Sequence, residues 1–118
     1  MITFEQAKTL TEDQVVYTIK ENKIKEAKIT SITTIERGTR RTAFLRTSCR
    51  ICYKLKGGTY EYVDWATEDF SVNKLYLSKE EVAKALIADI SDKMMDLEER
   101  LMAYQQKIIV AKKFGGIQ

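Results

Sequence analysis

The sequence predicts an α+β fold: a small SH3-like β-barrel or curled antiparallel sheet of about five strands, preceded by a short N-terminal helix and followed by a long C-terminal helix. Three observations carry this expectation. Residues 12–77 hold β-branched and aromatic runs separated by turn residues. Residues 78–114 repeat apolar side chains at alternating intervals of four and three. Thr3-Phe4-Glu5-Gln6 opens the chain with a helix-start pattern. The 118 residues suffice for one compact domain with an appended helix, and not for two full domains. A 44% hydrophobic and 31% charged composition belongs to a folded chain rather than a disordered one.

Each element follows from local chemistry. Thr3 and Gln6 fit a capping box, and Phe4, Ala7 and Leu10 recur at helical spacing, which predicts a helix of about two turns within residues 1–11. Val15-Val16-Tyr17-Thr18-Ile19 reads as a first strand, closed by the turn Glu21-Asn22-Lys23. A long second strand carries Ile24, Ala27, Ile29, Ile32 and Ile35, whose uneven spacing breaks strict alternation and predicts a bulged, bent strand. In the third strand Leu45, Thr47, Cys49, Ile51, Tyr53 and Leu55 alternate with a mostly polar set, as a half-buried strand requires. Lys56-Gly57-Gly58-Thr59 turns the chain into a return strand, Tyr60–Trp65. A polar loop from Ala66 to Lys74 leads to a last short strand, Leu75-Tyr76-Leu77.

Ser78-Lys79-Glu80-Glu81 is a second capping box, and Gly115-Gly116 ends the helix it starts. Glu80–Lys84, Asp89–Lys93 and Asp96–Arg100 are spaced to form i,i+4 ion pairs along it. The domain division read from this pattern is 1–77 and 78–118. A helix this long exceeds the width of a small barrel unless it reverses near Ser91-Asp92.

The helix face is the most informative feature for function. Ile87, Met94, Leu101 and Ile108 fall at heptad position a, and Ala83, Ile90, Leu97, Tyr104 and Ala111 at position d. Ala88, Met95, Met102 and Ile109 form a further column at b, so the apolar face spans about 160° of the helix. Left uncovered, such a face is larger than monomers tolerate. The expectation is a non-catalytic structural or adaptor protein that binds itself or another protein through Ile87, Ile90, Met94, Met95, Leu97, Leu101, Met102, Tyr104, Ile108 and Ile109. A membrane partner is not expected. The longest purely apolar run is the four residues 108–111, and Asp89, Asp92, Asp96 and Glu99 on the polar face oppose anionic lipid.

An alternative lies in residues 37–56, where Arg37, Arg40, Arg41, Arg46, Arg50, Lys54 and Lys56 occur without an acid. Arg46, Arg50 and Lys54 share the polar face of the third strand, with Phe44 beside them. Cations that track phosphates and an aromatic that stacks a base are the means by which small barrels hold nucleic acid. The competing reading is a solvated face balanced by an acid such as Glu61 across the hairpin. The remaining aromatics, Tyr17, Tyr53, Tyr60, Tyr62, Trp65, Phe70 and Tyr76, read mostly as core.

Enzyme chemistry finds little purchase. No histidine is present, no phosphate-binding glycine loop occurs, and Glu68-Asp69 and Glu98-Glu99 sit on a loop and a solvated helix face. Cys49-Arg50-Ile51-Cys52 spells a CxxC, but inside an alternating strand its thiols point to opposite faces, so both read as structural cysteines. No cofactor or metal is expected.

Val16-Tyr17 with Ile19, Lys23-Ile24 and Ile29, and then Leu75-Tyr76-Leu77-Ser78-Lys79-Glu80-Glu81-Val82 with Leu86, resemble small uncharacterised SH3-like β-barrel proteins of gut bacteria and their phages. The resemblance covers roughly residues 14–87 and implies an SH3-like fold and phage association, with no catalytic residue to carry over. Met1 to Gln14 contains no apolar stretch of the signal-peptide kind. The expected location is therefore the cytoplasm, or the virion of a phage.

Overall fold

The computed structural model describes residues 1–37, 46–68 and 73–118, with Arg37 and Arg46 described by their backbone. The elements run α1 (Phe4–Ala7), β1 (Val15–Lys20), β2 (Lys23–Arg37), β3 (Arg46–Leu55), β4 (Glu61–Thr67), β5 (Leu75–Tyr76) and α2 (Lys79–Gly115). The fold is α+β, with a curled five-stranded antiparallel half-barrel. The strand order is β4-β3-β2-β1-β5, which leaves β4 and β5 as the edges among the described residues. Two compact units result, Met1–Leu86 and Ile87–Gln118.

In the first unit, α1 is shorter than the expected two turns. The capping box is present: Thr3 Oγ1 accepts from the Gln6 amide at 3.2 Å, and Gln6 Oε1 accepts from the Thr3 amide at 3.0 Å. The helix ends after one turn and continues as bonded turns to Leu10. Phe4, Ala7 and Leu10 are nevertheless all buried in the core, as their spacing requires. The β1–β2 turn holds both Glu21 (φ 52) and Asn22 (φ 60) in the left-handed region, flanked by paired Lys20 and Lys23. That is a two-residue type I′ turn, whose twist matches that of the strands.

The expected bulge in β2 lies between Ile29 and Ser31, where the register against β3 shifts by one residue. Its consequence is specific. Ile29 and Ile32, three apart, both reach the core face because Thr30 is the extra residue. Ile24 and Ile35 are not rescued in this way. Their pairing with Ile19 and Ser48 puts them on the opposite face from Ala27 and Ile29. The inner face carries Val16 and Thr18 of β1, Ala27, Ile29, Ile32 and Thr34 of β2, Cys49, Ile51 and Tyr53 of β3, and Ala66 of β4, in register. Most of these are fully buried and join Ile2, Phe4, Ala7, Leu10 and Leu75 in one core. Ala66, expected at the start of a loop, is instead the last core residue of β4.

The aromatic expectation needs correction. Of the seven aromatics read mostly as core, six are described, and among those only Tyr53 is fully buried, with Tyr62 packed against the cluster. Tyr60 is 69% exposed. Tyr17 pairs with Tyr76, and Trp65 with Arg50, so strand alternation turns Tyr17, Trp65 and Tyr76 to the outer face, where each is half-buried. Phe70 lies outside the described residues. The reason is that aromatic content marks a strand but not its face.

Asn73 ties the first unit together. Its Oδ1 accepts from the Ile2 amide and the Leu75 amide, each at 3.1 Å. Its Nδ2 donates to the Ile2 carbonyl at 2.9 Å and the Trp65 carbonyl at 3.3 Å. One side chain thereby satisfies backbone groups from the N-terminus, β4 and β5.

Ser78 caps α2, accepting from the Glu81 amide at 3.2 Å, and Val82 is buried in the first unit. The helix continues through Ser91-Asp92 without reversal. It ends in a Schellman motif: the Ile117 amide donates to the Lys112 carbonyl at 2.9 Å and the Gly116 amide to the Lys113 carbonyl at 3.3 Å, with Gly116 at φ +64. The three ion pairs expected on the helix are formed: Glu80–Lys84 at 2.9 Å, Asp89–Lys93 at 3.2 Å and Asp96–Arg100 at 3.0 Å.

Candidate functional site

The second unit consists of helical turns whose apolar columns are exposed among the described residues. Ile87, Ile90, Met94, Met95, Leu97, Leu101, Met102, Tyr104, Ile108 and Ile109 are between 37 and 65% exposed. No residue from Ser91 to Gln118 is buried or half-buried. The structure thus holds every predicted interface residue on one uninterrupted helix, at the predicted heptad spacing. Val110 (64%) and Phe114 (95%) are further exposed apolar residues beyond the predicted set. Both lie outside the a, d and b columns, which is why spacing did not flag them. The Lys107 ammonium lies over the Tyr104 ring, 5.4 Å from its centroid. Among the described residues, no helix is long and apolar enough to cross a membrane.

The first unit holds the predicted basic stripe on the outer face of β3. Arg50 and Lys54 are exposed, and Arg46 occupies the register position four residues before Arg50. Arg40, Arg41 and Phe44 lie outside the described residues, as do the side chains of Arg37 and Arg46. The structure supplies a different aromatic neighbour, since Trp65 stands directly across from Arg50. It also places Glu61 directly across from Lys54, the counter-charge that a solvated face would carry. Lys56 pairs with Glu26 at 3.4 Å.

The inner face holds a polar group that the sequence did not reveal. The Tyr53 hydroxyl donates to Asp64 Oδ2 at 3.1 Å, and the Tyr53 and Tyr62 rings stack with centroids 5.6 Å apart. The Lys20 ammonium lies 4.5 Å from the Tyr62 centroid and 6.0 Å from that of Tyr53. β1 and β4 are separated by two strands, so a lysine of one resting on a tyrosine of the other reflects the curl of the sheet. Burial, reinforced by the neighbouring Asp64 charge, pushes the Tyr53 hydroxyl well above its ordinary pKa. Burial also raises Asp64, against the opposing pull of the Tyr53 hydrogen bond and the Lys20 charge. An alternating strand pattern shows that Tyr53 points inward, but not which acid lies diagonal to it on the next strand. Both cysteines are free and buried: Cys49 sits in the core beside Thr34 Oγ1 at 3.8 Å, and Cys52 lies on the opposite face of the strand.

Comparison with protein-family models, curated proteins and solved structures yields no match to this chain.

Proposed function

We propose that this is a non-catalytic structural or adaptor protein that self-associates, or docks a partner helix, through the apolar columns of α2, with the half-barrel as the module it positions. The observation that carries this reading is the set of ten apolar residues from Ile87 to Ile109, all exposed on a continuous helix in unbroken heptad register. Apolar area on that scale is stabilised by contact with a second surface, at about 25 cal/mol per Å² removed from water. The resemblance to phage and gut-bacterial proteins extends the proposal to a phage-associated role, acting in the cytoplasm or the virion. Light scattering at micromolar concentration tests it: the expected mass exceeds that of one chain. Replacing Leu101→Glu and Ile108→Glu together is expected to return it to the monomer mass with helicity retained. A wild-type chain that is monomeric throughout removes self-association.

A second reading, nucleic-acid binding by the outer face of β3, draws support from Arg50 across from Trp65, with Lys54 on the same face. Retention of single-stranded DNA that falls steeply with salt and is lost in Arg50→Glu supports it, and no retention at low salt removes it.

A further inference from the structure

Charge on the second unit is segregated along its axis. Asp89, Asp92, Asp96, Glu98 and Glu99 occupy its first half with two cations, Lys93 and Arg100. Lys107, Lys112 and Lys113 occupy its second half with no acid. Two of the cations are neutralised within the helix, Lys93 by Asp89 at 3.2 Å and Arg100 by Asp96 at 3.0 Å. What remains is acidic at one end (Asp92, Glu98, Glu99) and basic at the other (Lys107, Lys112, Lys113). None of these six makes an ion pair among the described residues. Two such helices side by side in parallel register would set acid over acid and base over base. In antiparallel register each acidic end meets a basic end, and the helix dipoles also oppose.

We propose that the segment from Ile90 to Phe114 pairs with the same segment of a second copy of this chain, in antiparallel orientation. This rests on the self-association reading and adds the identity and direction of the partner. The apolar columns accept the arrangement. A two-fold axis between Met102 and Ala103 sets a-column residues level with d-column residues of the other copy: Met94 with Ala111, Leu101 with Tyr104, Ile108 with Leu97. The same axis sets Asp92 level with Lys113 and Glu98 level with Lys107 of the other copy, and Lys112 level with Lys93, whose charge is balanced by Asp89. Met94 thus faces the short Ala111 in the outer layer, and the acidic half of each helix runs along the basic half of the other.

The test is a charge-swapped chain, in which Asp92, Glu98 and Glu99 become Lys and Lys107, Lys112 and Lys113 become Glu. Antiparallel pairing preserves attraction between two swapped chains but opposes swapped and wild-type ends of like sign. The swapped protein is therefore expected to self-associate like the wild type. An affinity-tagged swapped chain is expected to capture wild-type chain about tenfold less than it captures itself. Equal or preferential mixing overturns the antiparallel assignment while leaving self-association standing, whereas a monomeric wild type overturns both. A measurement on the unmodified chain guards against misfolding of the swapped one. By sedimentation equilibrium, association of the wild type is expected to weaken as NaCl rises from about 50 to about 500 mM, since the contacts are attractive and screened. Association that strengthens over that range overturns the assignment.

Discussion

Replacing Asn73→Ala removes four hydrogen bonds at once, two accepted by Oδ1 and two donated by Nδ2. At about 0.5–1 kcal/mol net for each partly buried bond, the direct loss is ~2–4 kcal/mol. A further contribution comes from Ile2, which is fully buried and is held by two of the four bonds. If the N-terminus frays, up to ~2 kcal/mol of burial is lost with it. The expected fall in melting temperature is of order 10 °C, taking about 4 °C per kcal/mol for a domain of this size. Urea unfolding followed by tryptophan fluorescence measures the free energy, and amide exchange at Ile2 reports whether its N–H is still protected. Asn73→Asp refines the experiment. A carboxylate retains the two acceptor bonds but presents negative charge to the Ile2 and Trp65 carbonyls. The Asp variant is therefore expected to be less stable at pH 7 than at pH 4, where a protonated carboxyl regains a donor. A loss below about 0.5 kcal/mol in Asn73→Ala, with Ile2 protection unchanged, would refute the view that this side chain clamps the N-terminus.

Tyr53→Phe deprives Asp64 of its donor and is expected to cost ~1–2 kcal/mol at pH 7. Asp64 is already raised, so its ionised form is the one the fold disfavours. Stability from this group falls as pH rises through the window between its unfolded and folded pKa. The Tyr53→Phe deficit is therefore expected to shrink below that window, and Asp64→Asn should abolish the pH dependence of the difference. Tyr53, whose pKa is also raised, contributes stability that is complete below its unfolded value near 10 and is lost as pH climbs above it; alkaline unfolding of wild type and Tyr53→Phe should diverge there. At the β1–β2 turn, Glu21 is exposed in the left-handed region, and Glu21→Gly is expected to raise stability by about 0.5–1 kcal/mol in urea melts. A destabilised variant would show that the turn is held by the Glu21 side chain rather than strained by it.

Much of the fold was legible because it rests on interactions between near neighbours. The Thr3–Gln6 box, the Ser78 cap, the i,i+4 ion pairs and the Gly116 stop all involve residues within five positions of one another. The bulge in β2 was visible as an interval of three between Ile29 and Ile32. The candidate interface was legible for the same reason, since heptad spacing is a property of one helix. Asn73 was not legible, because it bonds to Ile2 at a separation of 71 residues and looks like any polar loop residue. Trp65 beside Arg50 and Asp64 beneath Tyr53 were missed because both depend on the register between β3 and β4.

The sequence by itself determined the order and type of the elements, the turns between the strands on either side of Asn22 and Gly57, and the apolar and charged columns of α2. These follow from backbone preferences and side-chain period, which act over a few residues. Tertiary structure alone decided that the sheet is an open half-barrel with β4 and β5 at its edges, which aromatics face the core, and which polar groups meet on the concave face. Those outcomes depend on strand register and curl, where one residue of bulge moves a side chain from one face to the other. The exposed helix face stands between the two: its pattern is written locally, and its exposure among the described residues depends on the helix running past Ser91 without turning back.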